Sequence, residues 1–217
     1  EFDLVSELAY PMPVDVIALL LGVPTDDRAQ FKAWSDTLIE RPSAQTEAEM
    51  QAYQQRQQAV QQEMSEYFSA LIEARRAEPR DDLISAIIGA EVDGQQLTHR
   101  ELIGFCTLLL VAGNITTTNL ITNAMRCFTS QPDVVAGLRA GELNMSTAIE
   151  EALRYRSPVQ ALFRVTTEPV ELGGREIPEG QGVVVWLGSA NRDERVFDHP
   201  EEFVAGRQPN QHLSFGY

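Results

Sequence analysis

Three groups of residues have the types and spacings to do chemistry. In residues 108–119, Gly113, Thr116, Thr117 and Thr118 interrupt an otherwise apolar stretch. A helix through this stretch gives up roughly 2–3 kcal/mol of intrinsic propensity, because glycine costs about 1 kcal/mol against alanine and each threonine several tenths. Glycine admits a flat ligand to the backbone, and a threonine hydroxyl can bond the carbonyl four residues back and loosen the helix. A kinked core helix would satisfy the same pattern. The second group is Glu151 and Arg154, three residues apart, which share a helix face and can form a charge-assisted pair. Exposed, such a pair contributes only a few tenths of a kcal/mol. The third group is Arg164, in Phe163-Arg164-Val165, and His212, ahead of Leu213-Ser214-Phe215-Gly216.

The elements that must position these groups are mainly helical. Pro11 and Pro13 introduce an apolar helix over 14–21, stopped by Gly22 and Pro24. A second helix opens at Thr25-Asp26-Asp27-Arg28 and ends near Arg41-Pro42. A long one runs over 46–77 with Met50, Tyr53, Val60, Met64, Phe68, Leu71 and Ile72 at helical spacing and glutamines on a solvated face. A short helix over 81–89 and a turn at Val92-Asp93-Gly94-Gln95 precede Thr98-His99-Arg100-Glu101, a capping box that starts the central helix, extending to about Thr129. Gln131-Pro132-Asp133 begins another helix. Asn144 or Ser146 caps the one carrying Glu150, Glu151 and Arg154, which Ser157-Pro158 ends. Strands follow over 163–167, 170–172, 175–177 and 183–187, with Gly173-Gly174 as a two-residue hairpin turn. An irregular stretch lies beyond Asn191.

A chain of 217 residues can build one sizeable core, and no linker divides it. The expected organisation is a single domain, helical over 1–158 and β-rich with a meander over 159–217. No uninterrupted apolar run reaches the roughly 18 residues of a membrane span, and nothing at the start resembles an export signal, so cytoplasmic residence is the expectation. The net charge of −15 argues against nucleic acid, whose phosphates require clustered lysines and arginines. Cys106 and Cys127 lack zinc-type spacing. On one continuous helix they would stand about 31 Å apart, too far to pair, and both read as structural.

The glycine-threonine run, Glu151-Ala152-Leu153-Arg154 and the terminal His212-Leu213-Ser214-Phe215-Gly216, in that order and spacing, resemble the cytochrome P-450 family of haem-thiolate monooxygenases. The resemblance runs over essentially the whole chain and is strongest over 98–217. It implies an incomplete P-450-like fold, mainly α with a small β region, beginning after the family's first helices. The family's F-G-x-G-x-H-x-C loop is present only as Phe215-Gly216-Tyr217, so the axial cysteine to haem b is expected beyond residue 217, and this chain supplies no metal ligand.

The resemblance also assigns roles. It makes Thr116 the catalytic threonine, although Ile115 stands where the family carries an acid. Glu151 and Arg154 become a buried pair that serves assembly. The family's third basic partner falls where Glu202 stands here, which leaves Arg207 as its candidate substitute. Ala112, Gly113, Arg164, His212 and Phe215 become cofactor contacts, with Arg164 and His212 directed at haem propionates. Leu108, Val159, Gln160, Ala161 and Leu162 become substrate walls, under a roof formed by the second and third helices. The implied reaction oxidises a small organic substrate with dioxygen and electrons from a ferredoxin- or flavodoxin-type donor, without nucleic acid or membrane. A peroxide-using or isomerising haem protein of the same fold is the alternative, as is a non-catalytic helical module if the natural chain ends at Tyr217.

Overall fold

The order of elements follows from local signals. In a computed structural model, residues 2–40, 42, 46–92 and 94–216 are described. The expected helix end at Arg41, the turn residue Asp93 and the terminal Tyr217 lie outside them. Two compact units emerge, 1–118 and 119–217. The boundary falls inside the central helix, and the helix carrying Glu151 shares a core with the meander that follows it.

In the first unit a short π-helical turn, Val5–Ala9, leads into α1 (Pro11–Leu20), with proline in its first turn. Gly22 takes φ +72° where the chain leaves α1. Helix α2 (Arg28–Ile39) follows a 3₁₀ turn, Thr25–Asp27. Helix α3 (Glu47–Ala77) starts at a capping box in which Thr46 and Glu49 satisfy each other's backbone N–H groups, and α4 (Leu83–Ile88) is capped by Asp82. Strands β1 (Glu91–Val92) and β2 (Gln95–Gln96) pair antiparallel before α5 (His99–Thr129). Phe31, Met64, Phe68, Ile72, Ile84, Leu102, Cys106 and Leu110 belong to one core, so α5 buries its 102–106–110 stripe against the preceding helices. A buried latch ties three segments together: Arg75 Nε donates to Asp82, and Arg75 Nη2 donates to the Gly22 carbonyl at 2.8 Å.

Helix α5 reaches a mean hydropathy of 1.4 over 18 residues, so by length and composition it is long and apolar enough to cross a bilayer. No unbroken apolar run reveals this, because Asn114 and three threonines interrupt it. Two of those polar residues are tethered within the protein: buried Asn114 donates to Ser35 Oγ, and Thr118 donates to the Ala9 carbonyl at 3.0 Å.

In the second unit α6 (Pro132–Ala140) ends at Gly141, whose φ of +73° closes the helix. Helix α7 (Met145–Tyr155) is capped by Asn144, whose side chain accepts from Ser146 N at 2.7 Å. Strands β3 (Leu162–Val165) and β6 (Gly182–Val185) pair antiparallel with Arg164 opposite Val183; β4 (Val170–Leu172) and β5 (Arg175–Ile177) form a hairpin through Gly173-Gly174, both at positive φ. The expected strand over 183–187 is shorter. Leu187 instead opens α8 (Leu187–Ala190) and buries its side chain, while Gly188 N donates to the Gln160 carbonyl at 3.0 Å. Phe128, Val134, Ala148, Ala152, Phe203 and Ala205 lie in this unit's core.

Candidate functional site

Glu151 and Arg154 are fully buried on α7. Arg154 donates from Nε to Glu151 Oε2 and from Nη2 to Oε1, both at 2.8 Å. Its remaining three donors reach the carbonyls of Asn191, Pro200 and Glu202, each at 2.9 Å. All five guanidinium donors are thereby satisfied, the condition under which a buried charge is tolerated. Glu151 is satisfied in turn: Oε1 accepts from Val204 N at 2.9 Å, and Oε2 accepts from Asn210 Nδ2 at 3.2 Å.

Arg207 completes the cluster. Its Nε lies 3.1 and 3.0 Å from the two Glu151 oxygens, and its Nη1 and Nη2 donate to the carbonyls of Asp198 and His199. It is therefore the third basic partner, while Glu202 contributes its main-chain carbonyl instead of a side chain. The two guanidiniums thus collect carbonyls from Asn191, Asp198, His199, Pro200 and Glu202, most of which make no regular secondary-structure bond in this irregular segment. Phe203 seals the arrangement against Phe128 and Tyr155.

The chain toward Phe215 is held separately. His212 does not keep a ring donor for a propionate. Its Nε2 is 2.7 Å from Glu150 Oε2, and its Nδ1 accepts from Ser214 N at 3.2 Å, so both nitrogens are committed within the protein. Phe215 is 82% exposed. Arg164, exposed on β3, donates to the adjacent Phe163 carbonyl, and no carboxylate among the described residues pairs with it. A guanidinium left in that state suits an external carboxylate. Val159, Ala161 and Leu162 are half-buried. Gln160 does not present its amide to a substrate: Nε2 donates to the Ser157 carbonyl, and the side chain fills the space over Gly188. It borders a polar cavity of about 290 Å³ with Asn123, Tyr155, Arg156, Ser157, Gly188 and Arg192.

On α5, Leu108, Val111, Ala112 and Ile115 form an exposed apolar stripe beside Thr116. Thr116 Oγ1 donates to the Ala112 carbonyl at 2.6 Å, the expected back-bond, which leaves the hydroxyl lone pairs to accept. Gly113 faces α1 closely: a β-carbon there would lie 2.7 Å from Ile17 Cδ1, the tip of a side chain that would have to shift. Among the other titratable groups, burial pushes the Cys106 thiol up to about 12. Burial also raises the Cys127 thiol, outweighing the nearby Arg156. His99 bonds Ser69 Oγ at 2.8 Å, and His199 is exposed. No grouping of metal-binding side chains occurs among the described residues.

The chain, including the stretch from α7 through the meander, is similar to known proteins. A sequence profile described as Cytochrome P450 matches residues 144–212. Cytochrome P450 109 of Bacillus spizizenii is 44% identical over 215 residues, covering 99% of this chain and 53% of that protein. The cytochrome P450 monooxygenase PikC of Streptomyces venezuelae is 42% identical, covering 99% and 50%. The crystal structure of CYP109E1 from Bacillus megaterium in complex with testosterone superposes with a TM-score of 0.91 at 44% identity, covering 100% of this chain and 57% of that one. The chain thus spans about half the length of the relatives it matches. Identity sustained from end to end, together with the shared fold, identifies it as a member of the cytochrome P450 family.

Proposed function

We propose that the whole protein is a cytoplasmic haem-thiolate monooxygenase that oxidises a small organic substrate with dioxygen, using electrons from a ferredoxin- or flavodoxin-type donor. The observation that carries this reading is the buried Glu151–Arg154–Arg207 cluster, which organises the meander leading to Phe215. The chain's residues also fit the cofactor. The exposed face of α5 is small and apolar at Ala112, and Arg164 is a guanidinium without a carboxylate among the described residues. When bound, haem b supplies iron-centred oxidation, with a cysteine thiolate expected beyond residue 217 favouring O–O cleavage.

Each remaining role belongs to a side chain described above. Arg164 holds a propionate carboxylate by charge-assisted hydrogen bonds. Val159, Ala161 and Leu162, after α7, are the apolar side chains of their unit that exclude water from a substrate. The Thr116 hydroxyl, anchored on the Ala112 carbonyl, accepts a hydrogen bond from water and holds that water for proton delivery. Ile115 cannot relay a proton, which favours a route through water and makes peroxide use the second reading to test. CYP109E1 has been crystallised with testosterone, so steroids are the first substrate class to try.

The test uses the full-length protein reconstituted with haem. A thiolate-type Soret band in its ferrous carbon-monoxide complex, and an oxygenated product requiring both dioxygen and NAD(P)H-derived electrons, are expected. Absence of the thiolate band overturns the reading. Product formed with peroxide but not with dioxygen and reductant selects the second one.

A further inference from the structure

Asn191, at the end of α8, is fully buried and joins three segments far apart in sequence. Its Nδ2 donates to Ser157 Oγ at 2.8 Å and to Ser214 Oγ at 3.1 Å, and its Oδ1 accepts from Leu213 N at 2.7 Å. The shortest acceptor for each serine hydroxyl is the same carbonyl, that of Leu153, at 2.9 Å from Ser157 and 2.7 Å from Ser214. With both hydroxyl protons committed there, the serine oxygens face residue 191 as acceptors. Only an NH₂ group can answer both, while the same side chain must still offer an oxygen to Leu213 N. Asparagine alone meets that demand at this length.

We propose that Asn191 is a positioning residue that sets the course of the chain into the haem loop; this rests on the monooxygenase reading above. Leu213 and Ser214 immediately precede Phe215-Gly216. They are pinned at the Leu213 amide, the Ser214 hydroxyl and, through His212, the Ser214 amide. The first two of these points depend on Asn191 or on the serines it holds. The Glu151–Arg154–Arg207 cluster fixes the meander, whereas the Asn191 carboxamide fixes where the meander's exit points. A shift at 213–214 passes to the loop that carries the expected cysteine.

The test compares Asn191→Ala, Asn191→Asp and Ser214→Ala in the full-length haem-loaded protein. Val134→Ala, a core change on α6 in the same unit and outside the meander, controls for loss of stability. Asn191→Asp keeps the acceptor for Leu213 N but turns an oxygen toward two serine oxygens. At equal haem content, both Asn191 variants are expected to lose a larger fraction of the thiolate-type carbon-monoxide band than Val134→Ala and to shift the haem midpoint potential. Ser157→Ala is expected to recover part of the Asn191→Asp loss by removing one opposed oxygen. If Asn191→Ala does not fold, Ser214→Ala is read in its place, with a smaller shift of the same kind. Wild-type band fraction and potential in the Asn191 variants, or an equal loss in Val134→Ala, overturns the proposal. If wild type shows no thiolate band, the monooxygenase reading fails by itself, and amide hydrogen exchange over 213–216 decides the positioning role. Exchange about tenfold faster and confined to that segment in the variant supports it, the factor for one net hydrogen bond of about 1.4 kcal/mol; unchanged exchange overturns it.

Discussion

Replacing Glu151 with glutamine leaves shape and volume almost unchanged, so it isolates the charge. In the native cluster Oε1 accepts from Arg154 Nη2, Val204 N and Arg207 Nε, while Oε2 accepts from Arg154 Nε, Arg207 Nε and Asn210 Nδ2. Whichever way a glutamine amide is turned, its NH₂ group meets three donor contacts. Two guanidiniums also lose their carboxylate, since the other partners of Arg154 and Arg207 are neutral carbonyls. Removing one member of a buried pair costs about 3–5 kcal/mol, and the orphaned donors are part of that cost. This is a large share of the roughly 5–15 kcal/mol that holds an ordinary domain together. Urea unfolding of full-length Glu151→Gln, followed by circular dichroism and by haem occupancy, should show a loss in that range and incomplete haem loading. A loss below about 1 kcal/mol with full loading is what an exposed pair would give, and it would refute the assembly role.

Three further outcomes are expected. Burial pushes the Asp82 carboxyl up, but Arg75 and the Ser85 N–H outweigh it and hold the group below its ordinary value. Its stabilising contribution is therefore complete above the ordinary carboxylate range and is lost as pH falls below about 4. Asp82→Asn should destabilise at pH 7 and progressively less in acid; an equal loss at neutral pH and well below the carboxylate range would contradict the buried latch. Cys106 and Cys127, buried with raised thiol pKa values, should react with a thiol reagent in mildly alkaline buffer only after unfolding, and rapid labelling of either in the native protein would show an open core. In the full-length enzyme at matched haem content, Thr116→Ala should lower product formed per NAD(P)H consumed and Ile115→Glu should raise it. A tightly coupled wild type whose coupling falls in Ile115→Glu would instead mark Ile115 as part of a different proton route.

Local signals determined much of the fold by themselves. The Thr98–Glu101 box starts α5, Asn144 starts α7 and Gly173-Gly174 turns the β4–β5 hairpin, because capping and positive-φ preferences act over three or four residues. The spacing of Glu151 and Arg154 likewise placed both on one helix face. Tertiary structure decided what that pair is for, by burying it completely and by recruiting Arg207, 56 residues after Glu151, once the meander folds back on α7.

The same reason separates the other outcomes. His212 was legible as a polar residue near the loop, but its partner Glu150 stands 62 residues earlier and is chosen only by packing. The resemblance makes Gln160 a substrate wall, yet its amide is taken by the Ser157 carbonyl and its side chain by the space over Gly188. Gly113 is visible as a break in helix propensity, while the side chain it packs against, Ile17, belongs to a helix near the other end of the same unit. Asn191 carried no signal at all. Propensity, capping and periodicity are short-range and can be read along the chain; which buried donor meets which acceptor depends on long-range packing, and that is settled only when the chain is folded.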